Sequence, residues 1–197
     1  MIKSFLLRIV KIKLQNYLNY VFWLFIMFMA IGAISTAMFV QYFLKELPCS
    51  LCLQQRIGFF GFIFGSMMYF KGQSKFKSMG ISILFIVILQ IMSVRQSLLD
   101  IYPRPGHAWI GPALFGIHLP VWTFIGCLLL LLAIAFDFMF IARDSQTSIE
   151  DYPRLKKSAN ILSIIAIVLC AINLVSVILQ CGPYACHTNE YFLLKFF

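Results

Sequence analysis

Four of the six cysteines fall in two close pairs, Cys49-Ser-Leu-Cys52 and Cys181-Gly-Pro-Tyr-Ala-Cys186. Two sulfurs with two or four residues between them can close a small disulfide. A tight Cys-X-X-Cys loop gains little chain-entropy stabilisation, so such a bond suits exchange better than bracing. Pro48 precedes the first pair and suits the start of a helix. Unpaired N–H groups and the helix dipole at that position favour a thiolate. Arg56 lies four residues after Cys52, which on a helix puts guanidinium and sulfur on one face, one turn apart. Such a cation stabilises a thiolate and any neighbouring oxygen that becomes anionic, and at membrane depth it is costly unless used or paired. The plainer readings are two static disulfides pinning loops and an arginine that snorkels to the headgroups. Cys127 and Cys170 sit inside apolar runs and read as small packing residues.

These groups have to be carried by something, and the composition says what. The chain has 197 residues, 61% of them hydrophobic and 12% charged. A soluble domain averages about 45–50% apolar and about 25% charged. Too few polar residues remain to cover a water-facing surface, so the expectation is an all-α polytopic membrane protein. Five apolar runs near the length of a spanning helix are expected at about 20–42, 51–70, 79–98, 119–141 and 159–179. Together they make one integral membrane domain over 1–197. The first run is too long and begins too late for a cleaved signal peptide.

Lys and Arg set the expected orientation. Lys3, Arg8, Lys11 and Lys13 precede the first run, Lys71, Lys75 and Lys77 follow the second, and Arg143, Arg154, Lys156 and Lys157 follow the fourth. Only Lys45, Arg56, Arg95, Arg104 and Lys195 fall toward the other side. The N-terminus is therefore expected in the cytoplasm and, after five crossings, the C-terminus in the periplasm. That puts all four paired cysteines on the oxidising face, where disulfides persist. The net charge of +9 is scattered between apolar runs and does not form a nucleic-acid patch.

The segment 100–118 reads as an irregular outer loop with Pro103, Pro105 and Pro112, rested on the interface by Trp109 and Phe115. His107 and His118 there could move protons, although a solvated loop histidine is the commoner case. The tail from Tyr191 to Phe197 is too short to span and could lie in the interface. Asp137 near the end of the fourth run is the one hint of a transporter, a reading that shares ground with a static scaffold. A zinc site built from Cys49, Cys52, Cys181, Cys186 and His187 is the main competing chemistry. Haem attachment fits poorly, because the Cys181–Cys186 gap is two residues too long for the usual Cys-X-X-Cys-His.

The stretch Pro48-Cys49-Ser50-Leu51-Cys52-Leu53-Gln54-Gln55-Arg56 resembles the signature of the DsbB family, bacterial disulfide bond formation protein B. Arg95-Gln96, Ile101-Tyr102-Pro103 and Gly116-Ile117-His118-Leu119-Pro120-Val121-Trp122 resemble family fragments in the same order, so that the likeness covers about 20–141. The resemblance implies a four-helix bundle that passes electrons from thiols to ubiquinone or menaquinone in the bacterial inner membrane. It implies that Cys49–Cys52 is the quinone-linked pair, with Cys52 in contact with the quinone, Arg56 holding it and Arg95 assisting. It further implies that a second pair exchanges with Cys49 and reoxidises a DsbA-like periplasmic partner of thioredoxin fold.

The chain departs from that pattern in one place. The family's second pair lies between spans three and four, where this sequence has no cysteine. A fifth span instead delivers Cys181 and Cys186 to the same face. The expectation is that these two cysteines form the relay pair.

Overall fold

The computed structural model describes residues 2–45, 47–102, 113–140, 149–182 and 191. Among them, five long helices follow one another. They are α1 (Ile2–Phe43), α2 (Ser50–Phe70), α3 (Lys75–Ile101), α4 (Leu119–Phe140) and α5 (Pro153–Cys181). They lie over the five expected apolar runs, with α1, α2, α3 and α5 extended at one or both ends and α4 one residue shorter. Two-residue strands β1 (Ala113–Leu114) and β2 (Ile117–His118) form a small antiparallel hairpin before α4. The outer loop is thus less irregular than expected where it is described. Trp109, His107 and the three loop prolines lie outside the described residues. A single 3-10 turn, Ile149–Asp151, leads into α5, whose first residue is Pro153. Proline suits that position, since its missing N–H has no partner to lose there.

Four of the helices are long and apolar enough to cross a membrane by length and composition, α1 from Lys13 onward, α3, α4 and α5. The chain is a multi-pass membrane protein. α2 falls short of the other four in hydropathy because Gln54, Gln55 and Arg56 stand in its second turn. It is also the most enclosed helix, packing against α3 along its length and against α1 and α5 on its other sides. Gly61 and Gly65 permit the close α2–α3 approach. A Cβ on Gly61 would collide with the Phe85 ring, and one on Gly65 with Ser82 Oγ. Small residues at a helix interface serve this purpose in membranes, where dispersion contacts replace the hydrophobic effect. Outward-facing Phe25, Phe28, Leu129, Leu132, Ile164 and Ile167 are exposed, as a lipid-facing surface requires.

Consecutive helices run in opposite directions, so chain ends alternate between two ends of the bundle. One end collects the last turn of α2 and the start of α3 and α5. There Tyr20, Trp23, Tyr69, Phe70 and Tyr152 form an aromatic cluster, with ring centroids 5.3 Å apart for Tyr20–Tyr69 and 5.9 Å for Tyr20–Tyr152. Asp137 belongs to this end. It is 4% exposed and pairs with Lys75 of α3 at 2.9 Å. The other end collects the last turns of α1, α3 and α5 and the first turn of α2, and it holds the chemistry.

Candidate active site

The site begins at the start of α2. Cys49 is the N-cap, with extended backbone (φ −68°, ψ 165°), and its Sγ accepts from the Cys52 N–H at 3.1 Å. The first helical hydrogen bond, Leu53 N–H to the Cys49 carbonyl at 3.0 Å, closes the turn. This geometry brings the two Cα atoms to 5.1 Å, and Cys49 and Cys52 are joined by a disulfide. Both cysteines are half-buried. The cap explains why Cys-X-X-Cys sits here. A helix start leaves main-chain N–H groups without partners, and sulfur is placed to receive them.

Arg56, one turn on, is 5% exposed. Its Nη1 donates to Gln41 Oε1 on α1 at 2.6 Å and to Asn173 Oδ1 on α5 at 3.0 Å, and its Nη2 donates to the Ala37 carbonyl at 3.2 Å. Gln41 is then constrained. Its oxygen faces the guanidinium, so its Nε2 must find acceptors, and it donates to Ser176 Oγ at 2.7 Å and to Tyr191 Oη at 3.0 Å. Among the described residues no carboxylate pairs with Arg56. Among these residues the guanidinium meets only neutral acceptors, which take three hydrogen bonds and supply no counter-charge. Snorkelling to the headgroups does not describe this arginine. Tyr42, Ser176 and Tyr191 also line an apolar cavity of about 460 Å³ between α1 and α5.

On the other side of α2, α3 supplies a ladder of contacts. Gln55 Nε2 donates to Ser93 Oγ at 3.3 Å, and one turn along both helices Gln96 Nε2 donates to Cys52 Sγ at 3.5 Å. Gln96 is 6% exposed. Arg95, the sequence candidate at the neighbouring position, is exposed, and no hydrogen bond or ion pair joins it to the site among the described residues. On a helix, adjacent positions point about 100° apart, so only one of the two can face Cys52.

The last turn of α5 completes the arrangement. Gln180, fully buried, donates from Nε2 to the Pro48 carbonyl at 2.8 Å, next to Cys49. Cys181 follows directly and is disulfide-bonded. Its partner, like Cys186 and His187, lies outside the described residues. The structure therefore brings Cys49, Cys52, Arg56 and Cys181 to one end of the bundle and leaves Arg95 at its edge. Among the described residues no three His, Cys, Asp or Glu side chains gather as a metal site.

Sequence reasoning missed Gln41, Gln96 in this role, Asn173, Ser176 and Gln180. A signal was available for three of them. Asn173, Ser176 and Gln180 are polar, stand in an otherwise apolar helix, and recur at three- and four-residue intervals on one face.

Residues 19–108 match the sequence model of the family described as disulfide bond formation protein DsbB. The matched stretch contains Gln41, Cys49, Cys52, Arg56, Arg95 and Gln96, and stops before α4 and α5. No curated protein and no solved structure matches the chain.

Proposed function

We propose, from the match of residues 19–108 to the DsbB family model, that the chain is a DsbB-family membrane thiol:quinone oxidoreductase that reoxidises a DsbA-like periplasmic protein. It works in the bacterial inner membrane, with the N-terminus in the cytoplasm and the C-terminus in the periplasm. The observation that carries this reading is Arg56, a buried cation one turn from the Cys49–Cys52 disulfide whose partners among the described residues are all neutral. Burying an uncompensated charge is expensive. The expense is recovered where negative charge develops beside it.

The residues present fit a quinone. A guanidinium carries five N–H donors, and three hydrogen bonds from Arg56 are accounted for. The remaining donor capacity suits an anionic quinone oxygen, and the apolar cavity beside Ser176 offers room for an isoprenoid tail. Bound ubiquinone or menaquinone supplies the sink for two electrons. The chain's own residues do the rest. A thiolate attacks Cys49 Sγ, a new S–S bond forms, the Cys49–Cys52 bond breaks, and the electron pair stays on Cys52 as a thiolate. The helix start and Arg56 stabilise that charge, and Arg95 adds positive charge at the same end of the bundle.

Cys181 and Cys186 are the relay pair in this reading. Gln180 ties the end of α5 to Pro48, so the relay starts one residue from an anchor beside Cys49. A sink is needed because a DsbA-like partner is itself a strong oxidant, near ~−120 mV, and each ~30 mV of mismatch costs about 1.4 kcal/mol for two electrons.

The deciding experiment is an anaerobic titration of the purified protein with added quinone, with thiols located by alkylation. Cys49, Cys52, Cys181 and Cys186 should all change oxidation state as quinone is consumed. A response confined to Cys49 and Cys52 would make the α5 pair structural, and no response at all would end the oxidase reading.

A further inference from the structure

Gln96 is a buried amide with one recorded hydrogen bond, and that bond goes to sulfur. Its Nε2 donates to Cys52 Sγ at 3.5 Å, while its Oε1 is buried without a partner. An apolar residue would fill this position on α3 at lower cost, because a buried acceptor left unsatisfied loses its water and gains nothing in return. The amide is therefore placed for something other than packing.

We infer that Gln96 is a positioning residue for Cys52, its side-chain N–H holding the negative charge left on Cys52 Sγ when the Cys49–Cys52 disulfide is opened. This rests on the exchange chemistry proposed above. Attack of a thiolate on Cys49 Sγ forms one S–S bond and breaks another, and the departing electron pair resides on Cys52 Sγ. Exchange runs faster when the leaving thiolate is better stabilised. A donor facing a neutral disulfide sulfur makes a weak contact, and the same donor facing a thiolate makes a charge-assisted one, about twice as strong. Gln96 thus contributes more after the bond opens than before it.

The two sulfurs of the pair are distinguished by their donors. Cys49 Sγ receives a main-chain N–H from its own helical turn, and Cys52 Sγ receives a side chain from a neighbouring helix. Arg56 directs its recorded bonds to α1 and α5. The Gln55–Ser93 contact lies one turn away between the same two helices and does not reach sulfur.

The test is the pH profile of Cys52 alkylation in the full-length protein carrying Cys49→Ser, with the labelled residue located by mass spectrometry. Among the described residues, Tyr42 and Lys45 at the end of α1, Arg56 on α2, Arg95 and Tyr102 at the end of α3, His118 before α4, and Tyr191 are the titratable groups at this end of the bundle. All are common to parent and variants, so a difference between profiles reports Gln96. Gln96→Met keeps the volume and removes the donor, and its midpoint should rise by about one pH unit or more. Gln96→Glu, near in shape, removes the donor and should raise it as well. Ser93→Ala, which disturbs the same helix contact without touching sulfur, should leave the midpoint in place. A midpoint unmoved in Gln96→Met and Gln96→Glu, or moved equally by Ser93→Ala, overturns the assignment. The readout involves neither quinone nor partner. A failed quinone titration beside a shifted midpoint would therefore sink the electron-acceptor reading and leave Gln96 in place.

Discussion

Arg56 on α2 and Asn173 on α5 stand 117 positions apart in the sequence and meet at 3.0 Å. Asn173 lies outside the family-matched stretch, and Arg56 lies within it. The fifth helix is thus built into the surroundings of the arginine.

Replacing Arg56 with Met should weaken quinone use with the helices still assembled. Loss of one charged hydrogen-bond donor is worth about 1.5–3 kcal/mol, or roughly a 10- to 100-fold rise in apparent quinone KM. Steady-state kinetics with varied quinone, beside a circular dichroism spectrum, checks it. Unchanged kinetics would remove Arg56 from the quinone site.

Asn173→Leu should produce a milder form of the same defect. The guanidinium keeps Gln41 and Ala37 but loses its tether to α5, and the expected rise in quinone KM is about 3- to 10-fold. A variant that only loses thermal stability, with KM unaltered, would show that Asn173 holds the helix and not the arginine.

Cys181→Ser and Cys186→Ser should each abolish turnover with a dithiol protein. Cys49–Cys52 should remain open to reduction by a small dithiol such as dithiothreitol. Coupled assays with the two reductants separate these outcomes. Normal protein turnover in both variants would disprove the relay.

Gly61→Ala should destabilise the bundle without touching the chemistry. The added Cβ meets the Phe85 ring, so α2 and α3 must separate or the ring must leave its rotamer, at a cost of about 1–3 kcal/mol. Thermal unfolding in detergent reads the loss, and Gly61→Ala combined with Phe85→Leu should recover part of it.

Lys75→Met should cost about 1–3 kcal/mol, because it leaves the buried Asp137 without its cation, the lysine being exposed enough to discount the full buried-pair penalty. Adding Asp137→Leu should restore most of the stability. No recovery in the double variant would mean that the pair holds α3 and α4 together in some other way.

How far the sequence could be read differs between fold and site. The five apolar runs, the helix start at Cys49 and the place of Arg56 one turn after Cys52 follow from hydropathy, a Cys-X-X-Cys after proline and a four-residue interval. Each is a local property, fixed by residues within a turn or a span of one another. The choice between Arg95 and Gln96 was not local. Adjacent residues on one helix differ only in which way they face, and the facing is decided by how α3 packs on Gly61 and Gly65 of α2.

By itself, then, the sequence determined a helical membrane chain, its cysteine pairs and the arginine beside the first pair, because lipid and helix geometry leave few alternatives. Only the tertiary structure decided the partners. That Gln41, Asn173 and Ser176 surround Arg56, that Gln96 and not Arg95 reaches Cys52, and that Gln180 fastens α5 beside Cys49 all depend on contacts between helices far apart in sequence. Such contacts are set by which small and polar faces fit together, and no interval along one helix encodes them.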